Sequence, residues 1–259
     1  MIKVALLTNT TATTSLPVLK RLCAEEGIEL VHTFFYDTIA ESRGNLLQTI
    51  SKFGIGGVIS KVARLLLDKA GSLIGGAESS KTAYEYARSA NMPYSVTTNI
   101  NAPAHRSSIS ELDVLVVCNC KNLLKKPLLF IPDVQFINLH SSLLPAYRGP
   151  TPIFWAMYHG ESETGMTIHE ISVKIDRGNI LAQHAVPLDY SKSVDALADE
   201  LYAMSADMLI DVLQGKLHRF RSTTLRAAVI TRFQLGKNVV NSNDEWRNEI
   251  LDSRQLAHN

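Results

Sequence analysis

Residues 136–183 read FINLHSSLLPAYRGPTPIFWAMYHGESETGMTIHEISVKIDRGNILAQ, and this stretch decides the fold of the chain. The apolar run 133–139 that leads into it is typical of a buried strand. Residues two apart on a strand project to the same face, so Asn138 and His140 should lie side by side. The sequence therefore predicts a polar pair at the end of a buried strand.

Asp176 is the third polar residue of this stretch. The residues between His140 and Asp176 suffice for a loop, a helix over 150–158 and a strand over 164–172 that returns the chain alongside the first strand. A carboxylate beside an imidazole favours the charged form of the ring and fixes its orientation. Taken singly, Asn138 could cap a turn, His140 could be a hydrogen-bonded core histidine, and Asp176 could open the Asp-Arg-Gly turn. Together, and with the motifs that surround them, they predict a catalytic amide, imidazole and carboxylate.

Four motifs carry a resemblance to a known family. They are Asn-x-His at 138–140, Ser-Leu-Leu-Pro-x-Tyr-Arg-Gly at 142–149, Glu-Thr-Gly-x-Thr-x-His at 163–169 and Asp-x-Gly-x-Ile-x-x-Gln at 176–183. They resemble the catalytic domain of the folate-dependent formyltransferases, the superfamily of methionyl-tRNA, glycinamide ribonucleotide and sugar-nucleotide N-formyltransferases. The resemblance is close over 113–188 and holds in outline over 1–113. The second and third motifs are most similar to those of enzymes that formylate amino sugars on a nucleotide carrier.

The beginning of the chain predicts the opening of a doubly wound α/β fold. Residues 2–8 are a continuous apolar run, as expected of a strand buried on both faces of a parallel sheet, and 15–22 carry helical periodicity. The loop 8–15 contains no glycine, which argues against a nicotinamide dinucleotide site. We expect a Rossmann-like, mostly parallel sheet in a catalytic domain over 1–190, followed by a helix and β-hairpin extension over 191–259.

The remaining elements follow from periodicity and turn signals. Further strands are predicted at 28–36, 94–98, 113–118 and 180–188, helices at 82–90 and 193–215, a loop at 99–110, two helices within 45–70 and two β-rich runs within 220–240. The amphipathic region 43–76 has a local excess of basic residues between 43 and 69. That surface could attract a nucleotide diphosphate or an anionic membrane face, or it could be a solvated helix face.

The resemblance implies the roles of individual residues. Asn138 and a protonated His140 would donate hydrogen bonds to the oxyanion of formyl transfer, and Asp176 would take the proton of the attacking amine. The formyl donor would be 10-formyltetrahydrofolate, with no metal. The implied folate contacts are Asn122, Leu123, Leu124, Ser142, Leu143, Leu144, Pro145, Ser172, Val173, Lys174 and Ile175. Two roles stay open: Arg148 could bind an anion or form a structural salt bridge, and His169 could line the pocket or be structural.

Composition restricts the classes of protein. A chain of 259 residues with a formal net charge of +1 and 46% hydrophobic residues is ordinary for a globular protein and argues against a general nucleic-acid binder. Three cysteines cannot all pair and do not complete a zinc site, so we expect reduced thiols. No signal peptide, transmembrane segment or stable membrane insertion is predicted, so we expect a cytoplasmic protein.

The acceptor is the least determined part of the prediction. By analogy with sugar-nucleotide formyltransferases we expect the amine of a nucleotide-linked amino-deoxysugar, such as GDP-perosamine or a dTDP-4-amino-4,6-dideoxyhexose, in O-antigen polysaccharide synthesis by a homodimer. The near-neutral region 193–259 does not resemble a basic tRNA-binding domain, so no nucleic-acid partner is expected. Alternative acceptors are methionyl-tRNA, a hydroxyornithine side chain or water. A non-catalytic folate-binding protein is a further alternative.

Overall fold

The computed structural model describes residues 1–37 and 81–217. Its strands form one seven-stranded sheet in the order β3-β2-β1-β4-β5-β6-β7, parallel from β3 to β5 and antiparallel from β5 to β7. The strands are β1 (Ile2–Asn9), β2 (Ile28–Tyr36), β3 (Tyr94–Thr97), β4 (Val114–Cys118), β5 (Gln135–His140), β6 (Glu163–Glu170) and β7 (Ile180–Pro187). This confirms the predicted α/β, mostly parallel, doubly wound fold.

The central strands are buried on both faces. Val4, Leu6 and Val116 belong to one apolar layer, whereas Ala5 and Leu115 belong to the layer on the other side of the sheet. Neighbouring side chains on a strand point to opposite faces, so a continuous apolar run is needed where both faces are covered. The apolar stretches in β1 and β4 are unbroken because both faces of these strands are covered.

Helices cover the sheet. They are α1 (Leu16–Ala24), α2 (Ala83–Ser89), a 3₁₀ turn (Pro103–His105), α3 (Arg106–Ser110), α4 (Lys126–Leu129), α5 (Pro152–Tyr158) and α6 (Val194–Leu217). α2 begins with a capping box, in which the Thr82 hydroxyl accepts from the Glu85 N–H and the Glu85 carboxylate accepts from the Thr82 N–H. α6 packs on the same core layer as α1 and β6.

The sequence-based prediction was wrong between residues 99 and 110. That segment was expected to be a loop, yet it forms the 3₁₀ turn and α3, and the short helix α4 was not predicted at all. These helices span three to five residues, so they are too short to produce an amphipathic repeat. The predicted helices within 45–70 and β-rich runs within 220–240 lie outside the described residues, and the domain division at 190 stays a prediction.

The topology creates a crevice at the carboxyl ends of the parallel strands. β1 lies between β2 and β4, so the chain winds to one side of β1 first and then crosses to the other. Ligands of open α/β sheets bind where the strand order reverses in this way. Cys118, the last residue of β4, pairs with Leu139 of β5, which sets the end of β4 beside Asn138 and His140. In the parts of the chain that the structure describes, none of the helices has the length and apolarity needed to cross a membrane.

Candidate active site

Asn138, His140 and Asp176 converge at the carboxyl end of β5. Asn138 and His140 occupy alternate positions on the strand, and Asp176 lies in the loop between β6 and β7. The distance between His140 Nδ1 and Asp176 Oδ2 is 3.7 Å. That is within ion-pair range and longer than a direct hydrogen bond. The structure therefore brings the three predicted residues together, and their catalytic roles stay predictions.

The ring of His140 is held by a backbone carbonyl. Its Nε2 lies 2.9 Å from the carbonyl oxygen of Tyr147. A carbonyl oxygen can only accept, so Nε2 carries a proton in this arrangement. The contact leaves Nδ1 as the ring nitrogen that faces Asp176. Tyr147 occupies the left-handed region with φ 55°, which is uncommon for a residue with a side chain.

The carboxylate of Asp176 is oriented by its surroundings. The Gly149 N–H donates to Asp176 Oδ2 over 2.7 Å, and Arg148 Nε donates to the Asp176 main-chain carbonyl over 3.0 Å. Asp176 itself has φ 49°, in the left-handed region. Two residues later, a Cβ on Gly178 would overlap the carbonyl oxygen of Glu170, so only glycine lets the loop pack against the end of β6.

His169 is a fourth member of the cluster. It pairs with Asn138 across the antiparallel β5–β6 ladder, its Nε2 lies 3.1 Å from Asn138 Nδ2, and the same nitrogen lies 3.6 Å from Asp176 Oδ1. Its Nδ1 lies 2.8 Å from the Glu170 carbonyl and must donate to it. In the neutral ring, Nε2 is then an acceptor for the Asn138 amide N–H. His169 thus fixes the orientation of the Asn138 side chain.

Burial favours that neutral form. His169 is 1% exposed, and this burial lowers the pKa of its imidazole. The hydrogen bond to the Glu170 carbonyl and the charge of Asp176 oppose the decrease in pKa, whereas the neighbouring His140 adds to it. The two histidines of the cluster therefore differ: Nε2 of His169 accepts from Asn138, whereas Nδ1 of His140 faces the Asp176 carboxylate.

The predicted folate-binding loop 142–145 is clamped from β6 and β7. The Thr167 hydroxyl donates to the Ser142 carbonyl over 2.6 Å and accepts from the Leu144 N–H over 3.2 Å. Gln183 Nε2 donates to the Leu144 carbonyl over 2.9 Å and to the Thr167 hydroxyl over 2.8 Å. These four hydrogen bonds hold the loop backbone against β6 and β7.

The predicted pterin-binding segment 122–124 is fixed by Asn101. Its Nδ2 lies 2.9 Å from the Leu123 carbonyl and 3.4 Å from the Asn122 side-chain oxygen, and its Oδ1 accepts from the Lys125 N–H over 2.7 Å. These bonds tie the loop after β4 to the segment before the 3₁₀ turn.

Exposed apolar side chains occur on the loop after β4 and on the loop between β6 and β7. Leu123, Val173 and Ile175 are 58%, 55% and 52% exposed, although each is large and hydrophobic. Ser172 donates its hydroxyl to the Lys174 carbonyl over 2.7 Å, which shapes the second of these loops. Exposed apolar groups beside polar catalytic candidates are the usual composition of a small-molecule site. The folate contacts at 122–124, 142–145 and 172–175 stay predictions.

Sequence reasoning had missed several of the residues that build this site. Thr167 and Gln183 stand at fixed positions of the sequence motifs. The alternation along β6 sets His169 opposite Asn138 and Thr167 opposite His140, which the motifs alone could have indicated. The Tyr147 carbonyl and the Asn101 side chain carried no such signal, because both act through backbone contacts between distant segments.

Part of the chain is similar in sequence to proteins of known name. The chain is similar to methionyl-tRNA formyltransferase of Roseiflexus castenholzii, with 40% identity over 126 residues that cover 48% of this chain and 40% of the relative. It is also similar to methionyl-tRNA formyltransferase of Lysinibacillus sphaericus, with 32% identity over 137 residues, 53% of this chain and 44% of the relative. The matches span less than half of the length of these curated relatives.

Solved structures share the fold. The phosphoribosylglycinamide formyltransferase of Anaplasma phagocytophilum superposes with a TM-score of 0.57 at 16% identity, over 82% of this chain and 85% of that chain. The Bacillus halodurans phosphoribosylglycinamide formyltransferase gives a TM-score of 0.57 at 18% identity, over 84% and 96% of the two chains. At these identities the likeness concerns the fold alone.

The sequence model described as formyl transferase matches residues 45–213, which include every strand from β3 to β7 and the whole Asn138, His140 and Asp176 cluster. The chain belongs to the formyl transferase family.

Proposed function

We propose that this chain transfers the formyl group of 10-formyltetrahydrofolate to a primary amine. The observation that carries the proposal is the convergence of Asn138, His140 and Asp176 at the mouth of the sheet. Family membership supports the same chemistry. Folate is the expected formyl donor, and the protein's contribution is to hold the two reactants and to stabilise charge.

The reaction creates charge at two atoms. The amine nitrogen attacks the formyl carbon, which places negative charge on the formyl oxygen and positive charge on the attacking nitrogen. Asn138 donates one amide N–H to His169 and has a second N–H for the oxyanion, and the imidazolium form of His140 would supply a second donor at Nδ1. Asp176 receives the proton of the amine and passes it to N10 as the bond between the formyl carbon and N10 breaks.

The donor site draws support from the loops around the cluster. The pterin and its linker are flat and largely apolar, and the exposed side chains of Leu123, Val173 and Ile175 offer apolar surface beside the crevice. The clamped backbone of 142–145 is held next to His140 by Thr167 and Gln183. A rigid loop of this kind positions the N10-formyl group without an ordering cost at each turnover.

Methionyl-tRNA is the acceptor that the curated relatives support. Both the Roseiflexus castenholzii and the Lysinibacillus sphaericus proteins bear the name methionyl-tRNA formyltransferase. Near neutral pH, a fraction of aminoacyl-ester molecules carry an uncharged α-amino group, which is the nucleophilic form. Its formylation needs the same oxyanion donors and proton acceptor. This acceptor accordingly replaces the amino sugar as the first candidate.

A nucleotide-linked amino sugar is the second candidate, and a charge observation favours it. The described residues contain 14 Lys and Arg against 18 Asp and Glu, so the part of the protein that carries the cluster has no basic excess to attract a long polyanion. A mononucleotide carrier requires only local positive charge. The near-neutral balance over the whole chain is in line with this alternative.

The proposal is tested by following tetrahydrofolate release and the mass of the formylated product with methionyl-tRNA and with amino-sugar nucleotides. We expect release to accelerate with one acceptor class, and Asn138→Ala and His140→Ala to lower kcat by about 10²- to 10³-fold. His184→Gln, an exposed histidine on β7, serves as the control with unchanged kcat. Full turnover by His140→Ala would overturn the mechanism, and a wild-type protein that neither binds a stable 10-formylfolate analogue nor formylates an amine would overturn the function.

A further inference from the structure

Two arginines bracket the catalytic carboxylate. Arg148 donates its Nε–H to the main-chain carbonyl of Asp176 over 3.0 Å, and Arg177 follows Asp176 directly in the chain. Both side chains are exposed to solvent. Arg148 lies on the loop after β5 and Arg177 on the loop between β6 and β7, so two loops bring positive charge to the residue that carries the proposed proton acceptor.

Among the described residues, neither guanidinium forms a salt bridge with a carboxylate. The Asp176 carboxylate is already engaged by the Gly149 N–H and by the two histidines of the cluster. The chain thus holds two like charges together next to its reactive centre.

The proximity of the pair has an electrostatic consequence. The pKa of Arg148 is lowered from its ordinary value, first by partial burial and second by the charge of Arg177, while Asp176 raises it. Mutual repulsion between adjacent guanidinium groups favours the binding of an anion between them. A pair kept in this arrangement without a fixed counter-charge is suited to a ligand that brings the negative charge.

We infer that Arg148 and Arg177 bind a phosphate group of the acceptor and thereby carry its amine to Asn138 and Asp176. This inference rests on the proposed function and deepens it by assigning the residues that would hold the phosphate of either candidate acceptor. Because Arg148 uses only Nε for the Asp176 carbonyl, its two terminal nitrogens keep four N–H groups for phosphate oxygens. Planar guanidinium groups bind phosphate through paired hydrogen bonds that also set its orientation.

The shared ligand chemistry is an oxyanion of phosphorus, and it has two sources. A nucleotide-linked sugar carries a diphosphate between its base and its sugar, and the 3′ end of an aminoacyl-tRNA carries phosphodiesters next to its terminal nucleoside. Either source reaches the same pair of arginines. The size and polymer length of the competing ligand separate them experimentally.

The test measures binding of inorganic pyrophosphate to the full chain by isothermal titration calorimetry. We expect wild type to bind it, Arg148→Gln and Arg177→Gln each to raise the Kd about 10-fold or more, and the double variant to show no binding at pyrophosphate levels that saturate wild type. Arg88→Gln is the matched control, because Arg88 is an exposed arginine on α2, an element that contributes none of the cluster residues. Its Kd should equal that of wild type.

A second measurement, binding of a folate donor analogue, distinguishes failure of the phosphate-binding inference from failure of the proposed function. Binding of a stable 10-formylfolate analogue should be unchanged in Arg177→Gln, which removes a charge without touching the Arg148 hydrogen bond that supports Asp176. Pyrophosphate binding without analogue binding would sustain this inference and count against the proposed function. Competition by UDP or GDP supports a mononucleotide source, and competition only by an RNA minihelix supports a tRNA source. A wild-type protein that ignores pyrophosphate, or a double variant that binds it as wild type does, overturns the assignment.

Discussion

Nε2 of His169 lies 3.1 Å from Nδ2 of Asn138, across the antiparallel pair of β5 and β6. Since the Glu170 carbonyl holds the proton on His169 Nδ1, the facing nitrogen can only accept. The amide of Asn138 is therefore oriented with its nitrogen toward His169, and one of its two N–H groups remains for a ligand. A histidine that never touches the reacting atoms thus sets the geometry of a predicted oxyanion donor.

Removal of this acceptor should slow the reaction more than it weakens donor binding. We expect His169→Leu to lower kcat by about 10- to 100-fold, because a misdirected Asn138 amide no longer stabilises the oxyanion, with the KM for 10-formyltetrahydrofolate within about twofold of wild type. His169→Gln, whose side-chain oxygen can accept the same bond, should recover part of kcat. Steady-state kinetics with His184→Gln as control provides the measurement, and equal kcat values for the Leu and Gln variants would contradict a positioning role.

The lowered pKa of His169 makes a pH-dependent contribution to stability. The unfolded chain binds a proton at this residue near its ordinary pKa of about 6.5, whereas the buried ring resists protonation. The contribution is therefore fully present above about pH 6.5 and is lost as the pH falls below that value. Urea unfolding of wild type and His169→Gln between pH 8 and 5 should show a steeper loss of unfolding free energy in wild type.

Wild type must be compared with His169→Gln because the pKa values of other histidines are lowered as well. Burial also lowers the pKa values of His32 and His105, so both proteins lose stability in acid. Only the difference between the two curves belongs to His169. Parallel curves would show that protonation of this ring is not resisted by the fold.

Local sequence patterns determine much of this fold. The strand predicted at 28–36 is observed with those bounds, and the period-two rule placed Asn138 and His140 on one face. The orientation of His140 could not be predicted in the same way. It depends on a carbonyl seven residues later, in a turn where Tyr147, a residue type that rarely does so, adopts a left-handed conformation.

The same limit applies to the loops of the predicted donor site. Asn101 fixes the segment after β4 through bonds to backbone groups more than twenty residues away, and such bonds leave no periodic trace in the sequence. The return of Asp176 to His140 was predicted from the helix and strand between them. The hydrogen bond from Gly149 to its carboxylate and the packing of Gly178 against Glu170 follow only from the coordinates. Short-range rules therefore find the strands, and tertiary contacts decide the site.

The Thr167 hydroxyl should be required for the shape of the loop at 142–145. Thr167→Val leaves the Ser142 carbonyl and the Leu144 N–H without this partner in a buried site, so we expect a loss of about 2 kcal/mol or more in unfolding free energy and a higher KM for the folate donor. Thr167→Ser keeps the hydroxyl and should retain most of both properties.

Thr164 offers a matched control on the same strand. It is equally buried, and its hydroxyl oxygen has no hydrogen-bond partner among the described residues. Thr164→Val should therefore leave stability unchanged or increase it, since an unpaired buried hydroxyl is replaced by a methyl group. Equal stability losses at the two positions, measured by urea unfolding, would show that packing rather than the hydrogen-bond network accounts for the effect of Thr167→Val.

Gly178→Ala should displace the loop that carries Asp176. The added methyl group would overlap the carbonyl oxygen of Glu170, so the loop must move away from β6 and take the carboxylate with it. Because a shift of about 1 Å in a catalytic group can cost about 100-fold in rate, we expect kcat to fall by about that factor while the sheet still folds. Gly215→Ala, at a position of α6 where the new methyl meets nothing within 4 Å, should keep wild-type kcat and stabilise the helix by about 0.5–1 kcal/mol. Wild-type kcat in Gly178→Ala would mean that the loop need not sit against Glu170 for Asp176 to reach His140.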